Sequence, residues 1–119
     1  MTLQECYQAL EGDYADVSAR LPSERLVQKF VLKFLADPSY ELLMTSLQGG
    51  DVSEAFRASH TLKGVCQNLS FTRLHLSSHA LTEALRGGSA DGCENLVSQV
   101  TADYRQTVNA IAAYRDSQA

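Results

Sequence analysis

Between Asp51 and Asn68 the residues with chemical capacity fall on a single face of a helix. Ala55, Ser59, Leu62, Cys66 and Leu69 recur at intervals of 4, 3, 4 and 3, which defines an apolar stripe that faces a core. Turned about 100° from it runs a second stripe: Phe56, His60, Lys63 with Gly64, and Gln67. It holds an aromatic ring, a titratable nucleophile, a cation, a missing side chain and an amide. A solvated face is ordinarily filled with Glu, Lys, Arg and Ala instead. Glycine inside a helix costs about 1 kcal/mol relative to alanine, and Gly64 sits one turn after His60, baring the backbone beside the imidazole. Either another helix packs tightly there or something large approaches the histidine. A free imidazole titrates at about pH 6.5, so much of it is neutral and nucleophilic near pH 7. An ammonium one turn away, on Lys63, can balance a newly attached dianion. This combination suits a surface that takes up and gives up a phosphoryl group.

On spacing alone that reading stands beside a plainer one, a histidine and a lysine on a solvated face. Phe56 either folds back onto the bundle or meets a partner, and Gln67 is either an orienting amide or ordinary polar surface. Arg57 adds positive charge nearby. His75 and His79 are four apart, the spacing of a metal-binding pair on one helix face. They lack the glutamate of an H-E-x-x-H motif and an evident third ligand, so no metal site is expected. An antiparallel partner helix with Thr82 level with His60 would set His79 near Lys63 and His75 near Gln67, which puts His79 beside the same surface.

The chain of 119 residues is one domain's worth, with 45% hydrophobic residues, seven glycines and two prolines. Ten Lys+Arg against fourteen Asp+Glu give a net charge of −4, which argues against a phosphate-backbone binder and so against nucleic acid. No apolar run approaches the roughly 20 residues of a membrane helix, and Met1 to Cys6 lacks the start of a secretory signal. Cys6, Cys66 and Cys93 are odd in number and far apart, which reads as reduced thiols in a cytoplasmic protein. Cys66 lies on the core stripe.

Helical periodicity runs through nearly the whole chain. Short helices cover 1–21. A first bundle helix over 23–48 is capped by Ser23 and restarts at Asp37-Pro38. A second over 51–69 opens on Asp51 with Glu54 three on, a third covers 71–86, and a fourth over 91–116 opens on Asp91 with Glu94 three on. Short connections favour antiparallel neighbours. The expected architecture is all-α, an antiparallel up-and-down four-helix bundle, with the first helix covering one end. The start at Met1 and the completed last helix suggest a free-standing monomer.

The segment Ser59-His60-Thr61-Leu62-Lys63-Gly64-Val65-Cys66-Gln67-Asn68-Leu69 resembles the signature of histidine-containing phosphotransfer domains, roughly A-H-x-L-K-G-x-x-x-x-L-G. Asp51, Phe56, Leu74, the Leu81 to Leu85 segment and the stretch from Phe30 to Leu47 are also similar, so the resemblance spans about 10–115. Ser59 replaces the usual alanine and Ser70 the usual glycine, which leaves the turn after the helix undefined. Thr82 stands where some members carry a glutamine that bonds the imidazole, and threonine is shorter. The resemblance implies that His60 accepts a phosphoryl group from a receiver-domain aspartate, including one within a hybrid sensor histidine kinase, and passes it to a response regulator. It implies charge support from Lys63 and a receiver-docking surface of Phe56, Gly64, Gln67, His79 and Thr82. The chain would then be a carrier rather than an enzyme, with no cofactor of its own and Mg2+ held by the partner receiver.

Three other readings compete. A histidine-kinase fragment would follow His with an acidic residue, which Thr61-Leu62-Lys63 does not, and would need an ATP-binding domain. A relic bundle that only binds partners would not need His60 and Lys63 intact. A metal-binding bundle needs Glu-x-x-His pairs, of which the chain has none.

Overall fold

The computed structural model describes residues 1–118, and these are all-helical. Seven α-helices follow in order among the described residues: α1 Leu3–Ala9, α2 Tyr14–Arg20, α3 Glu24–Lys33, α4 Ser39–Gln48, α5 Val52–Asn68, α6 Thr72–Leu85 and α7 Glu94–Ser117. A 3-10 turn, Phe34–Ala36, joins α3 to α4.

Most starts are set by side-chain caps. Thr2 and Glu5 form a reciprocal capping box, and Asp13, Ser23 and Asp51 each accept from the backbone N–H three residues on. Asp37 accepts from Ser39 N at 2.8 Å, so the carboxylate before Pro38 does restart the helix. The break expected near Pro38 in the 23–48 helix opens four residues earlier, where the chain tightens into the 3-10 turn at Phe34 and drops Phe34 into the core. The last helix also begins later than expected. Gly92 adopts φ +76°, which a right-handed helix cannot contain, so Asp91 stays in the loop and α7 starts at Glu94 without a side-chain cap.

α4 packs on α5, α5 on α6 and α6 on α7, each joined to the next by a short loop, giving the antiparallel up-and-down bundle. α7 has 24 residues against 17 in α5, so it is longer than α5 by about 10 Å and overshoots the shorter helices by more. The overshoot is covered by the first helix. α1 runs along it, with Gln106 Nε2 donating to Ala9 O at 2.8 Å and Cys6 Sγ 3.7 Å from Ala110 O.

Aromatic rings bind this lower half together. Phe71 meets Phe34 edge-on at 5.2 Å and Tyr7 at 5.7 Å, while Tyr40 stacks on Tyr104 at 3.9 Å. Burial raises the Tyr7 hydroxyl well above its usual pKa, and that hydroxyl donates to Leu69 O at 2.7 Å.

The end of α5 is where the sequence left the backbone open. Ser70 takes φ +57°, and Phe71 N donates to Cys66 O at 2.9 Å while Ser70 N donates to Gln67 O at 3.2 Å. That is a Schellman closure with serine in the left-handed position ordinarily given to glycine. The strain is offset by what the serine bonds. Its Oγ donates to Asp16 Oδ2 at 2.7 Å and accepts from Arg20, and its carbonyl accepts from Asp13 N at 2.8 Å. Glu11, also left-handed at φ +57°, gives its carbonyl to Arg73 N in the first turn of α6 at 3.2 Å. The α1–α2 hairpin therefore clamps the α5–α6 turn.

Gly12 permits that clamp. A Cβ there would stand 2.7 Å from Ser70 O and 2.8 Å from both Leu10 Cδ1 and Tyr7 Cδ2. The backbone carbonyl cannot move aside without opening the turn. Gly12→Ala is expected to lower unfolding free energy by about 2 kcal/mol, read as a lower urea midpoint at unchanged slope; a midpoint equal to wild type would contradict the clamp.

Candidate functional site

α5 buries Ala55, Ala58, Ser59, Leu62 and Cys66 and turns His60 to solvent. Its rotation about its own axis is fixed by a small polar seam against α6. Ser59 is fully buried; its Oγ lies 2.7 Å from Thr82 Oγ1 and 3.3 Å from Ser78 O, and Thr82 Oγ1 donates to Ser78 O at 2.6 Å. Every buried side-chain polar atom among the described residues has a partner. With Ser59 pointing inward, the next residue is carried about 100° round and faces out.

Thr82 is therefore not on the outer surface. It has 0% exposure and bonds Ser59 rather than the imidazole. The correction follows from helix phase. Thr82 lies four residues after Ser78, on the flank of α6 that packs against α5, so its hydroxyl completes the seam beneath His60.

The other residues of the stripe remain at the surface. Lys63 and Gly64 are half-buried, Gln67 and His79 exposed. No atom beyond its own helix lies within 4 Å of where a Cβ on Gly64 would stand. The tight helix contact left open by the sequence is thus absent at Gly64, and the bared backbone faces open space. Among the described residues Lys63 forms no ion pair. His75 stands one turn from His79, their rings 6.2 Å apart, with His75 Nδ1 3.4 Å from Lys63 O. No three His, Cys, Asp or Glu among the described residues converge as a metal site would require.

Phe56 is half-buried, its ring 6.1 Å from that of His60. It is also covered: Arg86 Cζ sits 5.1 Å from the ring centroid, a cation–π contact. The Arg86 guanidinium donates to Glu83 Oε2 from Nη2 at 2.7 Å and from Nε at 3.1 Å. Glu83 is held below the usual carboxylate range, first by that hydrogen bond and further by the charges of Arg86, His79 and Lys63. Arg86 is absent from the residues that the sequence singles out, and Glu83 is there only as part of the Leu81 to Leu85 segment. The signal was present, since the antiparallel register that pairs His79 with Lys63 also pairs Arg86 with Phe56.

The thiols play no part. Burial pushes Cys6 up to about 11 and Cys66 higher still, which keeps both protonated and unreactive. A hollow of about 610 Å3 opens between α2, α3 and the end of α5, lined by Leu21, Phe30, Phe34, Val65 and Leu69 among others. None of the site residues lines it.

Two substitutions separate packing from exposure. Gly64→Ala, entering open space within a helix, is expected to raise unfolding free energy by about 0.5–1 kcal/mol; a loss of stability would show that the gap is occupied. Thr82→Val, which removes a hydroxyl from the seam, is expected to cost about 1 kcal/mol in the same denaturation measurement.

A family model, the Hpt domain, matches residues 2–113 of the 119. Comparison with curated proteins and with solved structures gives no match. Among the described residues no helix is long and apolar enough to cross a membrane.

Proposed function

Because the chain belongs to the Hpt domain family, whose members act in two-component phosphorelays as phosphoryl carriers, we propose that His60 is its phosphoacceptor and that receiver domains are its partners. The reading rests on one observation above the rest: an exposed imidazole beside open main chain at Gly64, where a second domain has room to approach.

Phosphoryl transfer demands placement and charge stabilisation more than elaborate covalent chemistry. An aspartyl phosphate on the incoming receiver is attacked by the outward ring nitrogen of His60. The P–O bond to the aspartate breaks as the N–P bond forms, and the aspartate leaves as a carboxylate. The imidazole keeps its other nitrogen for the proton, which passes to water as the ring returns to neutrality. In the second half the other ring nitrogen takes a proton back from water, the carboxylate of the next receiver forms its O–P bond as the N–P bond breaks, and the imidazole leaves neutral. Lys63, without an ion pair among the described residues, neutralises part of the phosphoryl charge in both directions. Mg2+ and the aspartate belong to the receiver. This chain supplies a nucleophile, a cation and room. Gln67 and His79, exposed on the same side, border the approach of the partner.

The test is incubation with a receiver domain carrying a radiolabelled aspartyl phosphate. Label should move to the wild-type chain and be lost in acid yet survive base. His60→Gln should take up none, and Lys63→Ala should slow transfer by about 10-fold, a barrier change of roughly 1.4 kcal/mol. Gly64→Gln should block transfer while the protein stays folded. Acid-stable label, or label on His60→Gln, would place the acceptor elsewhere.

A further inference from the structure

We propose that Arg86 is a second phosphoryl-binding residue, stored against Glu83 on the face of Phe56 while His60 is unmodified and drawn to the phosphoryl group once His60 carries it. This rests on the reading of His60 as phosphoacceptor.

The geometry is a relay of three contacts. The guanidinium stands over the Phe56 ring at 5.1 Å, and that ring stands 6.1 Å from the imidazole. Phe56 is thus a ring in contact with both the cation and the site. Among the described residues the guanidinium is held elsewhere only by Glu83, through two hydrogen bonds that converge on one carboxylate oxygen. The pair is solvent-facing, with side-chain exposures of 55% and 47%. Exposed pairs of this kind are weak and readily exchanged. A phosphoryl dianion offers more charge and more acceptor oxygens than Oε2 of Glu83, and guanidinium matches phosphate with a two-pronged donor fork.

Glu83 has the opposite effect. Its carboxylate lies within electrostatic reach of Lys63 and His79 as well as Arg86, and their charges stabilise its ionised form. In the resting protein it is therefore the anion that Arg86 answers to. A phosphoryl group on His60 competes with it for Arg86 and Lys63. Glu83 accordingly lowers the affinity of the site for the group, which favours handing it on.

The measurement is the equilibrium partition of label between a receiver aspartate and His60, with receiver and salt held fixed. Arg86→Gln should lower the share on His60 by about 2- to 5-fold and Glu83→Gln should raise it by a similar factor, the scale of one exposed charge at this range. Arg86→Lys, which keeps the charge, should recover most of the loss. The second readout is NMR: the Arg86 Nε–H resonance should shift when wild-type protein is phosphorylated and stay put in His60→Gln. Both variants partitioning as wild type does, with an unmoved Arg86 resonance, would overturn the proposal while leaving the phosphoacceptor intact. Failure of the wild-type chain to take label would instead remove the reading beneath it. Should Arg86→Gln unfold, Glu83→Gln and the resonance still decide.

Discussion

The inward commitment of Ser59 is what holds His60 outside. A fully buried hydroxyl shared between Thr82 and the Ser78 carbonyl leaves α5 with one rotational setting against α6. Each such hydrogen bond contributes about 1 kcal/mol net, but the larger effect is the cost of the alternatives. Rolling the helix by one residue would bury an imidazole without a partner and lift Leu62 toward water. Serine and threonine are also small, so the two helices approach closely and leave no slack in which α5 could turn. The chemistry of the surface is thus fixed from below.

If His60 carries a phosphoryl group as proposed, the charges around that ring suit reversible holding. Arg57 and Arg86 are each neutralised by an acid three residues earlier, Glu54 and Glu83, whereas Lys63 is not. The whole chain is anionic at −4, so attraction for a phosphoryl group has to come from these few nearby cations rather than from the global field. All of them stand at or near the solvent boundary, where a single ion pair in high dielectric amounts to only about 1 kcal/mol. A group that must leave again is better served by several weak neighbours than by one deep pocket.

Much of this was readable in the amino acids because it rests on local rules. The caps Thr2, Asp13, Ser23 and Asp51 are short-range side-chain chemistry, and the core stripe of α5 is a matter of period. What the sequence concealed depends on three dimensions. Thr82 looked like a surface polar residue, since nothing in a threonine states whether its hydroxyl meets water or a buried serine. That the break near Pro38 opens as early as Phe34 comes from that ring dropping into a cluster that includes Phe71 and Tyr104, residues distant in the chain. Asp91 and Glu94 have the spacing of a capping box, yet the left-handed Gly92 between them prevents it from forming. At the site itself, His60, Lys63 and Gly64 declared themselves by type and interval. Arg86 and Glu83 reach it through the pairing of two helices, visible only once the register is taken to the helix end.

The clamp at Ser70 ties the amino end of the molecule to the helix that bears the histidine. Without residues 1–21, Ser70 would keep a left-handed backbone with neither Asp16 nor Arg20 to hold its hydroxyl, and its carbonyl would lose the Asp13 amide. The Arg73 amide at the start of α6 would lose its acceptor, and the overshoot of α7 would lie bare along one flank. The two opening helices are thus a foundation rather than an appendage, and the smallest autonomous version of this module reaches back to its first turn instead of beginning at Ser23.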